Sequence, residues 1–340
     1  MLDTIRTTNQ NPIDRLARGS DAGGKQLKSV RGNTLASGQP AKVGGRAPHL
    51  FDCWPRILRS LDAAERLALF LDFDGTLTPI RQRPSDVGPL NLRMRKLLGW
   101  LARRQNLTLH IISGRRLADL RNLAAVSGAR LLGLHGWEGR DVPPLEKERG
   151  LLRKARQVIL RHVSTAPRIW IEDKRLGLAV HYRNAPPSEV RKGLAAVREA
   201  LRDAGPAIHM VQGRKIWELL PSQINGKGSA VLTLLAELPP DTLPIFVGDD
   251  TTDEMAFQAL PHGLTIRVGN PPHTAARFCL KGPAEVEEFL LRLKTVLRTL
   301  KSGKRELSCQ TGTRTFAPAV GRRAFTRDNA RRRQTIRESR

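Results

Sequence analysis

The chain has 340 residues, roughly two domains' worth at ~150 residues each, and 40% of them are apolar, which excludes a wholly disordered protein. Its 58 Lys/Arg against 32 Asp/Glu give a formal net charge of +26. No apolar run approaches the ~18 residues of a membrane span, and three scattered cysteines without a Cys-x-x-Cys pair argue against a disulfide framework or a structural zinc site.

In chain order, the first feature is a basic extension. Residues 1–50 carry eight Lys/Arg against three Asp/Glu, and residues 301–340 carry twelve against three, so 14 of the 26 net charges fall in 90 residues of little apolar periodicity. Residues 1–53 and 301–340 therefore read as disordered tails. No apolar segment follows Arg6, as a secretory leader requires, and with the cysteine usage this points to the cytoplasm. Arg331-Arg332-Arg333 lacks interleaved aromatic residues that could stack bases, so nucleic acid is expected only as a nonspecific tail contact. The net +12 that remains between the tails suits an anionic substrate. Nothing in the sequence speaks to oligomeric state.

Residues 67–74 form a short apolar run closed by Gly75 and read as a buried parallel strand. A helical period over 92–101 follows, then a second strand over 107–113 ended by Gly114. Residues 115–126 read as helix and 130–135 as a third strand. Between 146 and 219 the rhythm changes: helix 150–163, strands 168–172 and 176–183 about a tight Asp173-Lys174-Arg175 turn, helix 188–204, then strands 209–212 and 215–219 about Gly213. That α-β-β-α-β-β order favours hairpins and predicts a second, small α+β domain inserted into the first. After Lys227 the original rhythm resumes with helix 229–238, strand 243–247, helix 252–260, strand 264–268 and helix 283–300. The fold class is α/β, a parallel sheet with helices on both faces, built from 54–145 and 220–300 around the insertion at 146–219.

Ligands in open α/β sheets bind beyond the carboxyl ends of the strands. Four polar clusters fall there or on the next helix: Asp72 and Asp74, Ser113-Gly114, Lys227, and Gly248-Asp249-Asp250 with Asp253. Together they suit phosphoryl transfer, which needs charge neutralisation and in-line alignment more than covalent ingenuity. Asp72 and Asp249 can hold a hard cation such as Mg²⁺. An Asp72 oxygen can attack phosphorus. Asp74, two residues on, falls on the same face of a regular strand, where it can serve as general acid and base. Ser113 offers a hydroxyl to phosphate oxygens and Lys227 a positive charge to the pentavalent state. Asp253, one helical turn past Asp249, would steady Lys227 or a metal-bound water. His181 and Arg183 alternate on a strand and read as an exposed face.

The segment Asp72-Phe73-Asp74-Gly75-Thr76-Leu77-Thr78 resembles the nucleophile loop of the haloacid-dehalogenase-like phosphatases, and Ser113, Lys227 and Gly248-Asp249-Asp250 fit the other three motifs in order. Finer features resemble the trehalose-6-phosphate phosphatases: Ile111-Ile112-Ser113-Gly114-Arg115, Gly133-Leu134-His135-Gly136-Trp137-Glu138, Ile171-Glu172-Asp173-Lys174, Ala179-Val180-His181-Tyr182-Arg183, Trp217-Glu218 and the run from Gly248 to Glu254. The resemblance spans residues 54–300 and implies a Rossmann-like core with a cap, and hydrolysis of trehalose 6-phosphate through an aspartyl-phosphate. It implies Mg²⁺ at Asp72, Asp74 and Asp249. It also implies substrate contacts from Asp72, Phe73, Asp74, Gly114, Arg115, His135, Glu138, Glu172, Lys174 and Glu218. A related sugar-phosphate phosphatase and a non-catalytic sugar-phosphate sensor are the alternatives. One departure stands out: Leu220 occupies a place before Pro221 where the family shows a basic residue.

Overall fold

A computed structural model describes residues 46–310, with side chains to 299. The chain divides into two compact units after Val296, and both sheets lie in the first. Its elements are α1 (Trp54–Ala63), β1 (Arg66–Leu71), α2 (Leu92–Ala102), β2 (Leu107–Ile112), α3 (Leu117–Ala124), β3 (Arg130–Leu132), α4 (Glu146–Val163), β4 (Trp170–Asp173), β5 (Leu178–His181), α5 (Pro187–Ala204), β6 (Ile208–Gly213), β7 (Ile216–Pro221), α6 (Gly226–Ala236), β8 (Thr242–Gly248), α7 (Thr251–Ala259), β9 (Leu264–Val268), β10 (Phe278–Leu280) and α8 (Pro283–Gln310), which continues into the second unit.

Six strands pair in parallel in the order β10-β9-β8-β1-β2-β3. β1 is buried from Leu67 to Leu71 because helices cover both faces of the sheet, so it carries no polar alternation. On one face, α6 and α7 bring Val231, Leu234, Phe257 and Leu260 against Phe70 and Phe246. Each such fully buried side chain contributes about 1.5–3 kcal/mol. The chain fills one side of β1 first and then returns to the other through β8, so the ends of β1 and β8 meet at the point where strand order reverses.

A second, antiparallel sheet runs β4-β5-β7-β6. One face packs on α4 and α5 through Val158, Ile159, Val180, Val197, Trp217 and Leu219. This α4-β4-β5-α5-β6-β7 series follows the expected order, and the whole architecture is the expected α/β core with an α+β insertion.

Several boundaries differ from the sequence reading. The first strand ends at Leu71 instead of 74, because the chain turns at Asp72. The third ends at Leu132 and gives way to a 3-10 turn, Leu134–Gly136. α1 and β10 have no counterpart in the sequence reading; β10 has three residues, too short for a periodic signal. The described structure also extends into both expected tails. The Leu50 N–H bonds the Cys279 carbonyl and the Cys279 N–H that of Pro48, so residues 48–50 border the edge strand β10. At the other end α8 runs on to Gln310. The remaining parts of both expected tails, 1–45 and 311–340, lie outside the described residues.

Candidate active site

The floor of the site forms where β1 and β8 end. The Asp72 N–H bonds the Val247 carbonyl at 2.9 Å, which seats Asp72 beside the β8 terminus. From β8 the chain enters α7 through a capping box: the Asp250 side chain accepts from the first turn, and Asp253 Oδ2 accepts the Asp250 N–H at 2.9 Å. Asp253 is thereby turned back toward the sheet, with no exposed surface. Lys227, in the first turn of α6, donates to Asp72 Oδ1 at 2.5 Å and to Asp253 Oδ1 at 2.7 Å. Two glycines permit this crowding. A Cβ on Gly75, which sits at φ +85°, would stand 2.2 Å from Asp249 Oδ2, and one on Gly248 would stand 2.3 Å from Asp253 Cγ.

Three carboxylates thus surround one ammonium. Burial would strip Lys227 of its proton, but Asp253 and Asp72 overcome that and hold it charged, above the ordinary lysine range. Burial pushes Asp72 well up, aided by Asp253 and Asp249. Asp249 is pushed up to about 7, again by burial first and then by Asp253. Its Oδ1 is buried with no hydrogen-bond partner among the described residues. Asp72, Asp249 and Asp253 each present an oxygen within 4.8 Å of the others. A buried set of hard oxygen donors, short of positive charge and with one oxygen unpartnered, fits a cation.

Ser113 follows β2, 1% exposed, and its hydroxyl accepts the Arg115 N–H at 3.2 Å. Asp74 lies beyond the end of β1, in a turn bridged to Thr78, so the strand-alternation argument does not apply to it. It still reaches the same cavity, because the turn folds back over Asp249. Arg115 grips both of its oxygens, Nε to Oδ2 at 2.6 Å and Nη2 to Oδ1 at 2.7 Å. The Asp74 carboxylate therefore stands outside the carboxylate cluster expected to hold the ion.

The antiparallel sheet forms the facing wall. Glu218 on β7 is 5% exposed; it accepts from Lys174 at Oε1 and pairs with His135 Nε2 at 2.7 Å through Oε2. Burial would raise its pKa, but Lys174 and His135 hold it well below the usual carboxylate range. Lys174 also donates to the Gly114 carbonyl at 2.9 Å, a bond from insertion to core. His135 is held at φ +57°, a left-handed backbone that costs a non-glycine residue about 1 kcal/mol and orients its ring toward Glu218. Glu172 on β4 pairs with His181 Nε2 at 3.0 Å. Burial would lift its pKa too, yet His181 and Lys174 bring it below the ordinary value.

Floor and wall enclose a cavity of about 170 Å³. It is lined by Asp72, Asp74, Ser113, Gly114, Arg115, His135, Glu172, Lys174, Glu218, Lys227 and Asp249 of the expected set, with His181, Arg183 and Arg214 besides. Residues 70–280 match the family model described as trehalose-phosphatase. The chain belongs to the trehalose-phosphatase family. It is 36% identical over 265 residues to the trehalose-phosphate phosphatases of Mycobacterium tuberculosis and Mycobacterium bovis, a match covering 72% of this chain and 66% of theirs. The chain thus spans just under two thirds of the length of the curated relatives it matches. Among solved structures, an Aspergillus fumigatus trehalose-6-phosphate phosphatase is 26% identical with a TM-score of 0.52 over 74% of this chain and 99% of that one. The C-terminal domain of the Candida albicans trehalose-6-phosphate phosphatase, at 23% identity and a TM-score of 0.63 over 74% of this chain and 99% of that one, shares the fold.

Two side chains expected in the site lie elsewhere. Phe73 has no exposed side chain and belongs to the core, and its carbonyl accepts from Leu77 and Thr78. Glu138 does not reach the cavity; its carboxylate accepts the Leu117 N–H and so caps α3, steadying the loop that carries Ser113 and Arg115. Asp253 acts through Lys227 from beneath the floor. Leu220, where a basic residue was expected, packs on β7 with Leu134, Trp137, Leu145 and Ile224. His181 and Arg183 line the cavity instead of facing solvent; the signal available was that Glu172 and His181 straddle one hairpin, within reach of each other across it.

Proposed function

We propose that this chain hydrolyses trehalose 6-phosphate to trehalose and phosphate, the activity named for its mycobacterial relatives. The observation that carries the reading is the convergence of Asp72, Ser113, Lys227 and Asp249 on one cavity whose opposite wall is lined by the hydrogen-bonding side chains Glu172, Lys174 and Glu218. We assign Mg²⁺ to Asp72 and Asp249; when bound it supplies positive charge to the transferring phosphoryl group. Asp74, expected as a further ligand, has its carboxylate held by Arg115 at both oxygens.

Asp72 then acts as nucleophile. Its Oδ2 bonds to phosphorus as the ester P–O bond to the sugar breaks, while Lys227 steadies Oδ1. Asp74 gives its proton to the departing alkoxide and afterwards takes one from the water that attacks the phosphoryl group, which releases phosphate and restores Asp72. The Arg115 fork has to open before Asp74 can do this, and an incoming phosphate gives the guanidinium an alternative partner of the same planar geometry. Ser113 presents its hydroxyl to a phosphate oxygen. On the wall, Lys174, Glu218 and Glu172, the last now bonded to His181, turn hydrogen-bonding groups to the sugar hydroxyls.

In this reading residues 54–145 and 220–300 are the catalytic core and 146–219 the cap, closing on the bound sugar and excluding water. The thiols of Cys53 and Cys279 are free, in keeping with a reducing cytoplasm. The test is phosphate release from a panel of trehalose, sucrose, mannosyl and glucose phosphates with and without Mg²⁺. The expected outcome is Mg²⁺-dependent release that is greatest from trehalose 6-phosphate. A preference for another sugar points to a different phosphatase, and release from none of them to a sensor.

A further inference from the structure

Arg267 lies near the end of β9, in register with Gly248 on β8, the residue before Asp249. Its side chain is only 12% exposed, a costly place for a guanidinium unless it is paired. Its Nη1 has two partners, the Asp250 carbonyl at 2.6 Å and Glu254 Oε1 at 3.1 Å. Both belong to the start of α7, which the chain enters directly from Asp249.

Glu254 is filled in turn. Its Oε1 also accepts the Thr274 hydroxyl at 2.8 Å, and its Oε2 accepts the Ala275 N–H at 2.7 Å. The carboxylate thus ties the loop between β9 and β10 to α7, and Arg267 ties β9 to the same turn. Arg267, Glu254 and Thr274 do not line the catalytic cavity.

The Asp250 carbonyl already accepts the Asp253 N–H at 3.1 Å, so the bond from Arg267 is an additional one, and its effect is positional. The Asp250 N–H is held as well, by Asp253 Oδ2 at 2.9 Å. Both peptide groups that follow Asp249 are therefore pinned. Asp249 Oδ1, by contrast, is buried without a hydrogen-bond partner among the described residues. No bond to that oxygen aims it; the backbone that carries it does.

We propose that Arg267 and Glu254 are positioning residues that clamp the backbone after Asp249 from behind, so that the affinity for Mg²⁺, and not the reaction at phosphorus, depends on them. The proposal rests on the assignment of Mg²⁺ to Asp72 and Asp249 above. Neither side chain touches ion, sugar or phosphate. Groups that orient a metal ligand in this way typically account for about 10–100-fold in metal affinity.

The test is calorimetric titration of the chelator-treated full chain with Mg²⁺, without substrate. Arg267→Met is expected to raise Kd about ten-fold. Arg267→Lys, which keeps a cation and a donor for the carbonyl, is expected to recover most of that loss. Glu254→Gln keeps the shape and one acceptor oxygen and should raise Kd about three-fold, which covers the case in which Arg267→Met does not fold. In phosphate-release assays, excess Mg²⁺ should restore most of the rate of Arg267→Met. A role in loop packing alone predicts a lower Tm with the wild-type Kd in these variants, and that result overturns the clamp. A rate that excess Mg²⁺ does not restore overturns it too. Either result leaves the ion assignment standing where Asp249→Asn abolishes Mg²⁺ binding; a wild-type chain that binds no Mg²⁺ overturns both.

Discussion

On the floor of the cavity three carboxylates, Asp72, Asp249 and Asp253, cluster near the single ammonium of Lys227, which bonds Asp72 and Asp253. On the wall one carboxylate, Glu218, has two nitrogen partners, Lys174 and His135, and Glu172 has His181. Burial is deep in both places, yet the carboxyls of Asp72 and Asp249 are pushed up and those of Glu218 and Glu172 brought down. The sign follows from local stoichiometry of charge, not from depth. A floor short of positive charge is completed by a cation and a transferring phosphoryl group. A wall whose charges are already paired needs no cation, and it offers hydrogen-bonding groups to a neutral sugar.

The sharpest way to break this contrast is at the nucleophile. Asp72→Asn is expected to lower kcat by about 10³-fold or more, measured as phosphate release, while leaving the fold intact, because it removes a carboxyl that burial already disfavours as an anion. Wild-type rates in that variant would falsify the covalent role. Lys227→Met comes next, leaving Asp72 and Asp253 buried without their ammonium. A loss of about 3–5 kcal/mol in denaturant-unfolding stability is expected. A loss below about 1 kcal/mol would mean that the floor is not short of charge.

His110 supplies a control remote from both regions. It stacks on Phe70 within the core sheet, and burial, with a smaller effect from Arg130, pushes its pKa down to about 4. The folded state thus resists a proton that the unfolded chain accepts near 6.5, so this stability is fully present above that pH and declines as the pH falls toward 4. The full decline is about 3 kcal/mol. Unfolding of wild type and His110→Phe at pH 7 and 4.5 checks it: the variant should lose less stability over that range. Neither ring nitrogen has a partner among the described residues, so the substitution forfeits no hydrogen bond.

Adding Mg²⁺ at a hundred times its Kd to chelator-treated protein should stabilise it by about 2.7 kcal/mol, read as a rise in Tm. Asp249→Asn should remove that rise, and an undiminished rise would move the ion elsewhere. The smallest effect belongs to the wall: Glu172→Ala should cost about ten-fold in kcat/KM on trehalose 6-phosphate and little on p-nitrophenyl phosphate. Equal losses on both would refute its assignment as a sugar contact.

The floor was legible in the sequence because each of its parts is local. An apolar run ending in Asp72, a strand closed by Ser113-Gly114, and an acidic helix start at Asp249 are each read within a few residues, and parallel topology brings their ends together. The errors lie where a side chain's direction depends on distant packing. Phe73 and Glu138 sit in site-like segments, but one points into the core and the other caps α3. His181 looked like half of an exposed alternation until the antiparallel pairing set it against Trp170 and in bonding reach of Glu172. Leu220, a departure from the family's pattern, packs in an apolar cluster with Leu134, Trp137, Leu145 and Ile224.

The sequence by itself determined the alternation of strands and helices, the inserted hairpin series and the identity of the chemical groups, because periodicity and turn chemistry are short-range. Only the tertiary structure decided that Arg115 binds Asp74, that Lys174 reaches across to Gly114, and that Asp72 and Asp253 share one lysine. Those pairings join residues as much as 155 positions apart, and their energies depend on burial and distance, which no stretch of sequence carries.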